Sequence, residues 1–274
     1  MTKKARLIHS ADQRITQKLA SGVIVRQDFR TAARFPFFHT GYDQWQYATH
    51  GGTLFVVLYR GKPYGLICRH ILKTFDWAQL VVTAERHSGP SADLSYVAYP
   101  SNPTGYAEGT DVLDIAVIQF ADDVGAGFFK EPAYVIDDKT VATSEAGDAL
   151  HVYGVLKAPS EITETTIAPK FCLLELVDDT PSCNDPTLRR GFGMFESPEF
   201  TDVMGLSGSP VFNVSQSALC GMVVRGTMKD DRCTLFYVDM FDILQLLAAV
   251  HEGRTSTFYH KVQTTLVAHP KSPR

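Results

Sequence analysis

The chain has 274 residues, 45% of them apolar and 20% charged, with a formal net charge of −4. This is the make-up of a folded globular chain and excludes intrinsic disorder, which needs low hydrophobicity and high net charge. It gives no bulk attraction to nucleic acid or an anionic membrane, and no apolar run approaches the about 18 residues of a membrane helix.

The opening MTKKARLIHSADQRITQK is basic but has no apolar stretch behind it, so no secretory signal is read and a cytoplasmic location is expected. Short runs rich in Val, Ile, Leu, Phe and Tyr then recur between Gly, Pro, Asp and Asn, which predicts strands. Thr53 to Tyr59, the turn RGKP and Tyr64 to Ile71 form a predicted hairpin. Strands are expected over 112–120, 149–156, 171–177, 209–214, 219–224 and 234–238. Segments 88–110 and 178–200 are rich in Ser, Pro, Gly, Asp and Asn and read as loops. Residues 121–133 read as a linker between two halves of similar size. One helix is predicted, Met240 to His251, with Phe241, Leu244, Leu247 and Ala248 near one face, Asp239 as its cap and Gly253 as its stop. The tail after Gly253 is polar. Many short strands with turn punctuation suggest a sandwich or barrels.

Cys68, Cys172, Cys183, Cys220 and Cys233 are odd in number, widely spaced and without a C-x-x-C pair. They read as reduced thiols, and against a disulfide framework or a zinc knuckle. The histidines show no metal-ligand spacing and no phosphate-binding glycine loop is present, so no cofactor and no metal is expected. Asn213-Val214-Ser215 is a glycosylation sequon, expected to be idle without secretion.

The sharpest local feature is Gly205-Leu206-Ser207-Gly208-Ser209-Pro210, ahead of a strand. A nucleophilic serine must protrude from a tight turn, and small neighbours allow close approach and unusual dihedrals. The backbone N–H groups of Gly205 and Ser207 can then converge on one oxyanion. His70 follows an apolar strand, and Asp114 opens another. Singly, each feature also has a plain reading: a glycine-rich turn, a surface histidine, a turn aspartate. Together they supply a nucleophile, a base and a group to orient the base.

These residues resemble the chymotrypsin-like (trypsin-fold) serine peptidases, nearest to their bacterial and HtrA-like branches. The order His70, Asp114, Ser207 matches that family's triad, GLSGSP matches its G-[D/N]-S-G-G-P motif at four of six positions, and Asp114-Ile115-Ala116-Val117 fits its D-I-A-[L/V]. Gly147 to Gly154 resembles the opening strand of the second barrel, and Leu219 to Thr227 the strand lining the cleft. Leu206, Ser209, Cys68 and Arg69 depart from the family pattern, and Leu206 puts activation through a new N-terminus in doubt.

The resemblance implies an all-β fold of two six-stranded antiparallel barrels with a C-terminal helix. It divides the chain into an extension (1–20), a barrel with His70 and Asp114 (21–125), a barrel and helix with Ser207 (126–252) and a tail (253–274). It implies a serine endopeptidase acting on a protein or peptide substrate. Ser207 attacks, His70 shuttles the proton, Asp114 orients His70, and the Gly205 and Ser207 amides hold the oxyanion. Activity is expected to fall in acid as the imidazole takes up a proton. By counting from the nucleophile, Thr201 and Asp202 fall at the base of the P1 pocket, Val224, Arg225 and Gly226 on the substrate strand, and Gly226 leaves the mouth open. Asp202 would favour a basic P1 residue and Arg225 an acidic contact. The expected enzyme is intracellular and of narrow specificity, restrained by a regulatory protein partner. The alternatives are a non-catalytic binding or scaffold protein on this fold, and an esterase using the same triad. Cys68, two residues before His70, is read as facing away from the site, against a nucleophile based on that thiol.

Overall fold

The computed structural model describes residues 15–18, 24–42, 46–72, 77–86, 88–101, 114–131, 133–137, 139–162, 167–184, 187–194, 202–253, 257–258 and 262–268. The first half holds β1 (Ile15–Lys18), β2 (Ile24–Gln27), β3 (Ala33–Arg34), β4 (Phe37–His39), β5 (Tyr47–Ala48), β6 (Leu54–Tyr59), β7 (Lys62–Cys68), the one-turn α1 (Arg69–Leu72), β8 (Leu80–Val81), β9 (Leu94–Ser101), β10 (Ile115–Phe120) and β11 (Tyr134–Ile136). The second holds β12 (Ala149–Ile162), β13 (Ile167–Asp178), β14 (Arg189–Met194), β15 (Pro210–Asn213), β16 (Ala218–Lys229), β17 (Arg232–Asp239) and α2 (Met240–His251), followed by β18 (Thr257–Phe258) and β19 (Val262–Ala268).

The predicted hairpin is present as β6 and β7, with Tyr59 opposite Lys62. Arg60 and Gly61 between them have φ of 47° and 81°, the left-handed pair that a two-residue turn needs to match strand twist. These strands anchor a sheet ordered β11-β6-β7-β10-β9-β19-β18, with β3 also on β6. The second half closes into an antiparallel barrel, β12-β13-β14-β17-β16-β15. A second closed barrel is not formed by the ladders among the described residues.

Two segments read as loops contain strands. β9 lies within 88–110 and β14 within 178–200. The sequence of β14, RRGFGM, has little intrinsic strand character; full pairing with β17 makes it a strand. β19 lies past the helix, in the stretch read as a tail, and pairs antiparallel with β9.

The main apolar cluster joins both halves. Phe29, Leu54, Ile67 and Ile118 meet Phe212, Val238, Ile243 and Leu246, and Phe29 stacks on Phe212 with centroids 4.8 Å apart. Each such buried side chain contributes roughly 1.5–3 kcal/mol. A second cluster of Leu150, Val152, Leu174, Val211, Val223 and Leu235 fills the barrel. α2 has the predicted bounds, with Asp239 capping the Phe241 N–H and Gly253 at φ 61° after its end. Its buried face is Met240, Ile243, Leu246, Leu247 and Val250, whereas Phe241 is half exposed. That corrects the face read from the sequence: both stripes are apolar, and docking against β16 and β17 selects between them. Among the described residues no helix is long and apolar enough to cross a membrane. All five cysteines are thiols, four of them buried.

Candidate active site

Strand register assembles the first pair of residues. β7 and β10 run antiparallel with Cys68 opposite Ile115, so the residues just past the ladder, Arg69, His70 and Asp114, meet at its end. The Arg69 N–H donates to the Asp114 carbonyl at 2.9 Å, and the His70 N–H to Asp114 Oδ1 at 2.8 Å. His70 Nδ1 lies 2.5 Å from Asp114 Oδ2. That contact places the Nδ1 proton toward the carboxylate and leaves Nε2 as the ring's acceptor. Tyr99 lies under the Arg69 guanidinium, 4.1 Å from ring to cation.

Ser207 sits in a turn fixed from three sides. The Leu206 N–H donates to the Val203 carbonyl and the Ser209 N–H to the Leu206 carbonyl. The Gly208 N–H donates to the Val223 carbonyl at 2.7 Å, and the Thr53 N–H to the Ser207 carbonyl at 2.7 Å. Gly205 and Gly208 have φ of 100° and 86°, a region that L side chains rarely adopt. A Cβ on Gly208 would lie 1.9 Å from the Thr53 carbonyl oxygen. Within the described residues, neither the Gly205 N–H nor the Ser207 N–H finds an acceptor.

The β16–β17 register slips between Val223 and Arg225, leaving Val224 as a bulge. Its carbonyl accepts from Ser207 Oγ at 3.4 Å, a long bond. In this conformation Ser207 Oγ is not hydrogen-bonded to His70. β15 pairs β16 only as far as Met222, so the edge carrying Val224, Arg225 and Gly226 continues past its end.

These parts share one cleft of about 530 Å³, lined among others by His50, His70, Asp114, Lys157, Ser207, Val224, Arg225 and Gly226. His50 is pushed toward the neutral form, first by burial, then by the Lys157 and His70 charges. Thr201 lies outside the described residues. Asp202 is not among the lining residues; its Oδ1 accepts the Met204 N–H at 2.9 Å, and Val203 and Met204 face the cleft instead. The space a side chain at Gly226 would take is held by Leu235 Cδ2, 2.4 Å from that position, and Val203 Cγ2, 3.1 Å away. The missing side chain makes room for these two apolar neighbours, and Gly226 itself lines the cleft.

Sequence reasoning missed the brace behind the turn. Buried Thr53 accepts the Val155 N–H at 2.9 Å, donates to the Gly205 carbonyl at 3.2 Å and receives Ser209 Oγ at 3.1 Å. The signal available was Gly51-Gly52-Thr53 directly before an apolar strand. Gly154 has no side chain where Ser209 Oγ sits, 1.8 Å from the position of its Cβ. Lys157 carried no signal at all. Cys68 Sγ is buried and donates to the Val223 carbonyl at 3.1 Å. Cys68 Sγ, a His70 ring nitrogen and an Asp114 oxygen lie within 4.8 Å of one another, the one metal-ligand-type trio among the described residues; this corrects the expectation that the thiol faces away from the site, since side chains two residues apart along a strand share a face. His70 and Asp114 are already engaged with each other.

No protein-family model and no curated protein matches the sequence. The structure is similar to the crystal structure of the scabies mite inactivated protease paralogue S-I1, with a TM-score of 0.53 and 14% identity over 83% of this chain and 98% of that one. It also resembles the tobacco vein mottling virus protease (TM-score 0.44, 11% identity, 78% of this chain and 80% of that one). A further likeness is to the MamO protease domain from Magnetospirillum magneticum (TM-score 0.43, 12% identity, 79% and 96%). The likeness to the mite protein, with the closed barrel and the C-terminal helix, gives this chain a chymotrypsin-like protease fold.

Proposed function

We propose that the chain is a serine endopeptidase built on two barrels, with Ser207 as nucleophile, His70 as general base and Asp114 as the residue that orients it. The observation that carries this reading is the His70–Asp114 pair beside Ser207 in one cleft, with two backbone N–H groups on the Ser207 turn that lack acceptors among the described residues. In the proposed reaction Ser207 Oγ leaves its long Val224 bond and turns to His70 Nε2. Attack on a peptide carbonyl passes the hydroxyl proton to Nε2, and the Gly205 and Ser207 amides take the oxyanion charge. His70 then gives that proton to the leaving amine, and water resolves the acyl-enzyme by the same path. The open edge at Val224 to Gly226 supports a substrate bound as an added strand. Five thiols support a reducing, intracellular setting, in which such an enzyme needs narrow specificity or a regulatory protein partner.

A second reading, a non-catalytic binding protein on the same fold, is favoured by one observation: Ser207 Oγ bonds the Val224 carbonyl and not His70. Intact mass after a fluorophosphonate probe decides between them. One adduct on the wild type and none on Ser207→Ala is the expected result. No adduct on the folded wild type, with Ser207 unreactive across pH 6 to 9, overturns the peptidase reading in favour of the binding one.

A further inference from the structure

We infer that Cys68, His70 and Asp114 form a site for a divalent cation of borderline softness, zinc above all, and that the bound cation leaves His70 unable to accept a proton from Ser207. The site stands on its own geometry; only its effect on reactivity rests on the peptidase reading.

Chain order and register bring the three donors together. Cys68 ends β7, His70 lies in the α1 turn two residues on, and Asp114 directly precedes β10, whose Ile115 stands opposite Cys68. Cys68 Sγ, a His70 ring nitrogen and an Asp114 oxygen fall within 4.8 Å of one another. The ring nitrogen that faces the carboxylate is Nδ1, 2.5 Å from Oδ2. Sulfur, imidazole nitrogen and carboxylate oxygen together suit zinc, whereas calcium and magnesium select all-oxygen sets.

Donors on one tetrahedral zinc stand roughly 3.4–3.6 Å apart, given bonds of about 2.0–2.3 Å. Nδ1 and Oδ2 must therefore part by about 1 Å, and Sγ must close by little more than that. The His70 side chain is 45% exposed and that of Asp114 20%, and both line the cleft, so the ring has room to swing and an ion has a way in. The surroundings tolerate the change. Asp114 Oδ1 keeps the His70 backbone N–H. The Val223 carbonyl gives up the thiol proton but keeps the Gly208 N–H.

The proton count closes. The cation takes bonds to sulfur, Nδ1 and a carboxylate oxygen. The thiol proton goes to water, and the Nδ1 proton is exchanged for one on Nε2, so one proton leaves per ion bound. Nε2 is the acceptor that Ser207 needs, and in this state it carries hydrogen. The buried thiol thereby gives the site a means of reversible restraint that the triad residues alone would not supply.

The test compares metal-stripped wild type with Cys68→Ser, whose thermal midpoint checks that it is folded. Zinc affinity is read by competition with a chromophoric chelator. Cobalt(II) then replaces zinc for spectroscopy, because a thiolate ligand gives it a charge-transfer band in the near ultraviolet. Wild type is expected to bind zinc at least about tenfold tighter than Cys68→Ser and to show a cobalt band that the variant lacks. Within each protein, fluorophosphonate labelling in excess zinc is compared with labelling in chelator. Zinc is expected to slow wild-type labelling at least about tenfold, and to slow Cys68→Ser far less at the same concentration. No zinc binding, equal affinity in the two proteins, or an undiminished cobalt band in Cys68→Ser overturns the inference. So does Cys68-dependent zinc binding that leaves a measurable wild-type labelling rate unchanged. Cys68-dependent binding by a protein that takes no fluorophosphonate even in chelator upholds the site while the peptidase reading fails.

Discussion

Thr53→Val removes one hydroxyl from the brace behind the nucleophile turn and keeps the shape. Three hydrogen bonds converge on that oxygen, from Val155 N–H, to the Gly205 carbonyl and from Ser209 Oγ. Thr53 is fully buried, so the orphaned groups gain no water in exchange. At about 1 kcal/mol for each bond lost, and more where a buried N–H is left unpaired, the cost is roughly 3–4 kcal/mol. Valine fills nearly the same volume, so no cavity cost is added. The expected result is an unfolding free energy in urea lowered by that amount, seen as a lower midpoint with an unchanged slope, and recovery of most of the loss in Thr53→Ser. The same substitution loosens the Gly205 peptide, whose N–H would hold the oxyanion under the proposed function. Fluorophosphonate labelling of Ser207 is therefore expected to slow at least about tenfold at a temperature where both proteins are fully folded. A Thr53→Val protein within about 0.5 kcal/mol of wild type, labelled at the wild-type rate, would refute the brace.

Gly208→Ala combines a left-handed φ with a Cβ 1.9 Å from a backbone oxygen, so a loss of about 2–4 kcal/mol is expected in the same denaturation assay, and a loss under 1 would contradict the geometry. Leu206→Asn restores the polar residue of the family pattern but buries an amide in the barrel's apolar cluster; a loss of about 2–4 kcal/mol is expected, and an unchanged midpoint counts against that placement. Asp242 on α2 has its carboxyl raised to about 6 by burial and by Asp239, against the pull of Arg189. The folded state therefore holds this proton more tightly than the unfolded chain, and stability falls as pH rises from about 4 through 6, by roughly 2–3 kcal/mol. Asp242→Asn is expected to melt higher than wild type above pH 6 and together with it below pH 4; a lower midpoint at pH 7 would reverse the assignment.

The triad candidates were legible because their signals are local. An apolar strand ending in His70, another opening at Asp114 and a glycine-flanked Ser207 each occupy a few consecutive residues, and the β7–β10 register supplies the meeting point. What was illegible depends on distant partners. β14 has two arginines and two glycines in six residues and is a strand only because β17 pairs with it. Lys157 carries no motif; it reaches the cleft because Gly51 and Met204, far away in sequence, receive it. Asp202, placed by counting from Ser207, shows a related dependence. Counting fixes the position along the chain, but the Asp202 carboxylate turns onto the Met204 N–H two residues on.

The departures from the family motif bear on whether the turn is a working site or a remnant. Ser209 stands where the motif has glycine, and its hydroxyl occupies the space that Gly154 leaves while bonding Thr53. Leu206 stands where the motif has Asp or Asn, and it is absorbed into the barrel interior. Cys68, in place of a small or polar residue, donates to the Val223 carbonyl, the same acceptor used by the Gly208 N–H. Each of these three departures thus has a partner that fits it, and the fourth, Arg69, lies over the Tyr99 ring. The Gly205 and Ser207 N–H groups keep no acceptor among the described residues, although an amide left without one is costly where water cannot replace it. A turn that served only to pack would gain by closing those two groups onto a carbonyl. Under the proposed function these two groups, on residues that line the cleft with the His70–Asp114 pair, would receive the developing oxyanion.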